Sequence, residues 1–224
     1  DPTNPERDNR LQVMTPRTER YDELQGAEEA LRGGCRWIQL RMKDAAVEEI
    51  ERVALALRTR CSAYGARLIL DDHVELVEKT GADGVHLGRN DMAPDRARGI
   101  LGPGRIIGGT ANTFADIERL AACGVDYIGL GPFRFTLTKK NLSPVLGLEG
   151  YRRIMAQCRE RGIAIPVVAI GGIEKSDVES VMACGVHGIA LSGTLLRAAD
   201  MQCETREIIE RIKQDSNTEK LWQI

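Results

Sequence analysis

Nine aromatic residues and three histidines are all that this chain of 224 residues has of either. Without rings to stack bases, and with 31 Lys and Arg against 33 Asp and Glu for a net charge of −2, it offers no basic, aromatic-lined face to nucleic acid. No stretch approaches the ~18 apolar residues of a membrane span, and the charged opening Asp-Pro-Thr-Asn-Pro-Glu-Arg has no apolar signal core. The six cysteines (Cys35, Cys61, Cys123, Cys158, Cys184, Cys203) lie far apart, with no CxxC pair and no close Cys/His spacing. That excludes a structural zinc site and points to a reduced, cytoplasmic protein whose thiols serve as small apolar packing.

Glycine is abundant instead: 23 of 224 residues, against a usual share of ~7%. Eight short apolar runs of β-forming residues recur at 11–15, 37–41, 67–70, 84–88, 106–109, 127–131, 167–170 and 188–192. Between them lie segments of helical period. Over 46–64, Val47, Ile50, Val53, Ala54, Leu57 and Cys61 share one face while Glu48, Glu51, Arg52 and Arg58 share the other. A helix is expected after each strand. Three passages repeat, Thr-Gly-Ala-Asp-Gly-Val-His-Leu-Gly (80–88), Cys-Gly-Val-Asp-Tyr-Ile-Gly-Leu-Gly (123–131) and Cys-Gly-Val-His-Gly-Ile-Ala-Leu-Ser-Gly (184–193). In each, the first glycine can take the left-handed position that stops a helix, and a buried parallel strand follows. Eight alternating units without GxGxxG after the first strand predict a single (β/α)8 TIM barrel rather than an open sheet. One domain over 1–224 is expected, with its core at about 10–212 and polar, frayed ends.

In such a barrel the loops that leave the strands build the site. Their residues are Gln39, Arg41 and Lys43 after the second run, Asp71, Asp72 and His73 after the third, and His86, Arg89 and Asp91 on the fourth. Thr110 and Asn112 follow the fifth, Thr136, Thr138, Lys139 and Lys140 the sixth, Gly171 and Gly172 the seventh, Ser192 and Gly193 the eighth. Gln39 and Arg41 alternate with Ile38 and Leu40, so they share a strand face, and a guanidinium with Lys43 close by suits an anion; a structural carboxylate partner for Arg41 is the other reading. Asp72 and Asp91 end adjacent strands, and two acidic groups at one mouth suggest magnesium between them, although Asp91 could instead cap the helix that Pro94 opens. Ala-Ile-Gly-Gly-Ile (169–173) and Leu-Ser-Gly (191–193) have the form of a phosphate site after strands seven and eight; the same glycines could be turn residues only. The 131–150 connection is long enough for a substrate loop. His86 and His187 read as packing residues, and His73 is left open.

Six segments in order, Gln-Leu-Arg-Met-Lys (39–43), Leu-Ile-Leu-Asp-Asp-His (68–73), Gly-Ala-Asp-Gly-Val-His-Leu-Gly-Arg-Asn-Asp (81–91), Gly-Leu-Gly-Pro (129–132), Thr-Leu-Thr-Lys-Lys (136–140) and Ala-Ile-Gly-Gly-Ile (169–173), resemble the thiamine phosphate synthase family over about 10–212. The resemblance implies an enzyme that joins 4-amino-2-methyl-5-pyrimidinylmethyl diphosphate to 4-methyl-5-(2-phosphoethyl)thiazole, or its carboxylated form, and releases diphosphate by a dissociative route assisted by Mg2+. It implies that residues 39–43 (Gln39, Leu40, Arg41, Met42, Lys43) line the substrate site, Gln39 holding the pyrimidine and Arg41, Lys43 and Lys139 the diphosphate. Asp71 and Thr110 would stand beside it, Thr136, Leu137, Thr138, Gly172, Leu191 and Ser192 would bind the thiazole phosphate, and Asp72 and Asp91 the metal. Partners are then the two small substrates, with assembly into homo-oligomers left open.

Two positions depart from the family pattern. Asp71 replaces the usual Asn, setting a second carboxylate beside a charged leaving group, and Asn112 stands where many relatives carry His. The alternatives are a thiazole tautomerase on the same barrel, which is thought to need that His for proton transfer, and a non-catalytic barrel that binds a phosphorylated ligand.

Overall fold

The computed structural model describes residues 10–135 and 143–215. Eight strands, β1 (Leu11–Thr15), β2 (Trp37–Leu40), β3 (Arg67–Asp71), β4 (Gly84–Leu87), β5 (Ile106–Ala111), β6 (Tyr127–Leu130), β7 (Val167–Ile170) and β8 (Gly188–Leu191), run parallel in chain order. Pairing of β8 with β1 closes them into a barrel. The (β/α)8 expectation is thus met, with each strand within two residues of its predicted run. Helices α1 (Glu23–Arg32), α2 (Val47–Ala63), α3 (Leu76–Thr80), α4 (Pro94–Leu101), α5 (Phe114–Ala122), α6 (Gly147–Glu160) and α7 (Val178–Ala183) lie between strands. After β8 comes one turn of helix, α8 (Gly193–Leu196), before the long α9 (Met201–Asp215). The break falls where Asp200 caps α9, its Oδ1 accepting from the Cys203 N–H at 3.0 Å. No described helix is long and apolar enough to cross a membrane.

Strand alternation sorts the core into two layers. Leu11, Val13, Ile38, Leu40, Leu68, Leu70, Val85 and Leu87 face outward and pack with the helices. Met14, Trp37, Ile69, Ile106, Tyr127, Val168 and Ala190 face inward and fill the lumen. Trp37 and Tyr127 meet edge to face with ring centroids 4.9 Å apart. The tyrosine ring crosses to β5 because Gly108 leaves the space; a side chain there would overlap the ring. Among the cysteines, Cys35, Cys61, Cys158 and Cys184 are buried free thiols. Burial pushes the Cys61 thiol up to about 12, so it packs and does not react.

The repeated passages have a shared structural purpose beyond ending helices. Their first glycines, Gly81, Gly124 and Gly185, take φ of 73°, 76° and 99°. Two residues on, Asp83, Asp126 and His187 each grip the start of the preceding strand twice. Asp83 N–H donates to the Leu68 carbonyl at 2.8 Å while its Oδ2 accepts from the Leu68 N–H at 2.7 Å. Asp126 does the same to Ile107 at 2.7 and 2.8 Å. His187 does so to Val167 at 2.8 Å, with ring Nδ1 accepting at 2.9 Å. Arg58 and Arg98 complete the two aspartate clamps at 2.6 and 2.7 Å. Asp83→Ala strands the Leu68 N–H and takes the carboxylate from Arg58, which is left with Ser62 Oγ and the Ala66 carbonyl, so a loss of about 2 kcal/mol is expected, lowering Tm by about 4–8 °C. Thermal unfolding checks this, and a change under 2 °C would refute the clamp.

Candidate active site

The strand exits opposite those clamps carry the polar residues, arranged along the rim from β2 to β5. Gln39 is buried in the lumen at the top of β2, where its Nε2 donates to Gln12 Oε1 at 3.1 Å. Two residues on, Arg41 is partly exposed and its Nε lies 3.7 Å from Asp71 Oδ2 on the neighbouring strand. Arg41 thus has the carboxylate partner of its other reading, Asp71, at the mouth. Leu40 and Met42 point their side chains into the strand–helix core, leaving only their backbone at the rim. Lys43 is exposed in the loop after β2.

Asp72 and His73 leave β3 with φ of 65° and 64°, a left-handed conformation uncommon for side-chain-bearing residues and typical of functional turns. The Asp72 N–H is tied to the His86 carbonyl at 2.9 Å. His73 Nδ1 lies 3.2 Å from Glu75 Oε1. Asp91 folds back onto the end of β4, its Oδ2 accepting from the Gly88 N–H at 2.7 Å. It does not cap α4: the cap position is Ala93, which makes no side-chain cap bond. The Asp72 carboxyl is raised above the ordinary range, first by burial and then by the Asp91 charge it faces. No group of three or more His, Cys, Asp or Glu that could hold a metal occurs among the described residues. Two facing carboxylates nevertheless fit magnesium, which commonly takes one or two protein carboxylates and completes its shell with water and substrate phosphate.

Thr110, on β5, sets Oγ1 2.9 Å from His86 Nε2. Asn112 is buried, and its Nδ2 donates to the carbonyls of Gly131 at 2.8 Å and Pro144 at 2.9 Å. Its amide is thus a latch that closes the two ends of the β6–α6 connection. Thr136, Leu137, Thr138 and Lys139 fall outside the described residues. Across the mouth, Arg134 donates to the Gly172 carbonyl at 2.6 Å and to Asp177 at 2.8 and 3.1 Å. Burial would raise the Asp177 carboxyl, but the Arg134 bond and the Glu174 N–H outweigh it and hold it low. Thr194 Oγ1 donates to the Ile173 carbonyl at 2.6 Å, which joins the Gly171–Gly172 loop to the start of α8. Leu191 is buried outward, so Ser192 is the first residue of β8's exit to face the mouth region.

Sequence reasoning passed over Gln12, Tyr127 and Arg134. Gln12 had a signal: the Leu-Gln-Val alternation of β1 puts an amide in an apolar lumen. Arg134 had none, because its partners Gly172 and Asp177 lie about forty residues away.

A family model described as "Thiamine monophosphate synthase" matches residues 11–195. The thiamine-phosphate synthase of Bacteroides fragilis is 60% identical over 199 residues, covering 89% of this chain and 98% of that protein. That of Flavobacterium psychrophilum is 46% identical over 190 residues, covering 85% and 92%. In three dimensions the chain superposes on the thiamine phosphate pyrophosphorylase of Pyrococcus furiosus with a TM-score of 0.84 at 33% identity, covering 96% of this chain and all of that one. With the family model matching residues 11–195 and a relative 60% identical over 89% of the chain, the chain belongs to the thiamine monophosphate synthase family, a family of transferases of thiamine biosynthesis.

Proposed function

We propose that this chain joins 4-amino-2-methyl-5-pyrimidinylmethyl diphosphate to 4-methyl-5-(2-phosphoethyl)thiazole, or its carboxylated form, releasing diphosphate. The observation that carries this reading is the cluster on one arc of the rim: the Arg41 guanidinium paired with Asp71, the facing carboxylates Asp72 and Asp91, and the Thr110 hydroxyl. Gln39, just below, meets the pyrimidine with its amide. Arg41, Lys43 and Lys139 receive the diphosphate. Thr136, Leu137, Thr138, Gly172, Leu191 and Ser192 take the thiazole phosphate, the last three through backbone groups.

The bond between the pyrimidinylmethyl carbon and the diphosphate oxygen breaks first, and both electrons leave with diphosphate. The thiazole nitrogen then donates its lone pair to the resulting cation, so no side chain has to remove a proton. Charge grows on the departing oxygens. Fixed cations aimed there stabilise the transition state more than the bound substrate. The apolar lumen beneath Gln39 keeps water from capturing the cation. Magnesium, held by Asp72 and Asp91, would neutralise charge on the diphosphate.

Asn112 weighs against the tautomerase alternative. Both its amide protons are committed to Gly131 and Pro144, and an amide carries no proton across neutral pH. The reading is tested by mixing both substrates with and without magnesium and following diphosphate release. Release that depends on both substrates supports it; no release with magnesium present overturns it.

A further inference from the structure

Inside the lumen, five polar side chains make one continuous line from β2 to β5. Gln39 Nε2 donates to Gln12 Oε1 at 3.1 Å, and Gln12 Nε2 donates to Tyr127 Oη at 3.3 Å. Tyr127 Oη lies 2.8 Å from His86 Nδ1, and His86 Nε2 lies 2.9 Å from Thr110 Oγ1. Gln12, Gln39, Tyr127 and His86 are all buried, and Thr110 alone is partly exposed at the mouth. The imidazole fits because Gly129 faces it: a Cβ there would lie 3.3 Å from His86 Cε1.

The chain has a direction. Tyr127 keeps its proton, since burial raises its phenol, and it already accepts from Gln12. The Tyr127–His86 bond can run either way with the imidazole tautomer; the arrangement in which each group fills one role has the Tyr127 O–H donating to Nδ1. A neutral imidazole that accepts on Nδ1 carries its proton on Nε2, and that proton goes to Thr110 Oγ1. With its oxygen engaged as acceptor, the Thr110 hydroxyl turns its proton outward. At the other end, Gln39 has given an N–H to Gln12, so its Oε1 is the group left to accept from a ligand amine.

We propose that Tyr127 and His86 are positioning residues: the one-way line from Gln39 to Thr110 fixes the Thr110 hydroxyl as a donor to an anionic ligand oxygen and the Gln39 carbonyl as an acceptor. That the ligand oxygen belongs to the leaving diphosphate rests on the synthase reading; the direction of the line does not. Fixing the donor in advance avoids reorienting a dipole during bond cleavage.

Nitrogen-15 NMR of His86 in the ligand-free protein reads the direction without any substrate. The expected result is a proton on Nε2 and a bare Nδ1, with Tyr127→Phe giving a mixture of tautomers while Tm falls by no more than a few degrees. A proton on Nδ1, or on both nitrogens, overturns the proposal. Kinetics supply the second arm. Gln can place an amide N–H where Nε2 stood, whereas Asn reaches Tyr127 but not Thr110. His86→Gln should keep kcat within about threefold, and His86→Asn should lower it about thirtyfold with KM little changed. Thr110→Val should match His86→Asn, and the double variant should be no worse than either alone. Equal losses in the Gln and Asn variants, or additive losses in the double variant, would reduce His86 to packing. If the tautomer is as expected but no diphosphate is released, the hydrogen-bond line stands and the synthase reading falls.

Discussion

Arg41→Lys lowers kcat/KM for diphosphate release by about 100-fold while Tm stays within about 2 °C. The size follows from geometry rather than charge, which lysine preserves. Asp71 lies 3.7 Å from Nε of Arg41, an ion pair longer than a hydrogen bond, so the planar fork of guanidinium N–H groups is available to two phosphate oxygens. Lysine offers a single point charge on a flexible stem and no such fork. Losing an aligned donor to developing negative charge costs 10²–10³ in rate where it has been measured. The partner residue behaves differently. Asp71→Asn keeps an oxygen for Nε and removes a negative charge next to the leaving group, so no loss of activity is expected. A fall of less than threefold for Arg41→Lys would mean that the guanidinium does not grip the diphosphate, and a tenfold fall for Asp71→Asn would give that carboxylate a role of its own.

Asp72→Asn is expected to abolish most activity, by about 10²–10³ in kcat/KM, and at the same time to make the protein more stable. The Asp72 carboxyl is raised by burial and by Asp91. A raised value in the folded state means that folding favours the proton. The stability linked to this group is complete below the ordinary carboxylate value of about 3.9 and is lost as pH rises through the raised one. At neutral pH, then, the Asp72 charge works against the fold, and asparagine relieves it. The expected result is a higher Tm for Asp72→Asn than for the unaltered protein. Magnesium should raise the Tm of the unaltered protein by mass action and that of the variant much less. A lower Tm for Asp72→Asn, or an equal magnesium shift in both, would detach the two carboxylates from the metal.

How much of this was readable from the sequence differs by layer. The strands were, because in a parallel barrel they are buried on both faces and their apolar runs are bounded by glycine. Asp72, Asp91 and Arg41 were, because strand exits in this fold have a fixed side. The lumen line was not. Tyr127 reads as one more apolar strand residue, and only the absent side chain of Gly108, one strand away, lets its hydroxyl reach His86. The clamps made by Asp83, Asp126 and His187 are half visible: the repeat is plain, but the polar residue at its fourth position reads as a turn residue unless the neighbouring strand is in place. Asn112 was noticed for the proton it cannot carry, while its latch to Gly131 and Pro144 depends on a loop returning 32 residues later.

The clamps also bear on the order in which contacts can form. Each joins residues 15, 19 or 20 apart, so closing it restricts a short loop. The β1–β8 seam, where Leu11 faces Ile189, joins residues about 180 apart, and a loop ten times longer adds about 2 kcal/mol of closure entropy. The seam is accordingly the costliest joint of the barrel. Arg20, in the loop after β1, spans it by donating to the carbonyls of Ala198 and of Ala199, the latter at 2.9 Å. One guanidinium from the first unit thus clasps the last, at the place where the ring of strands has the least local help in closing.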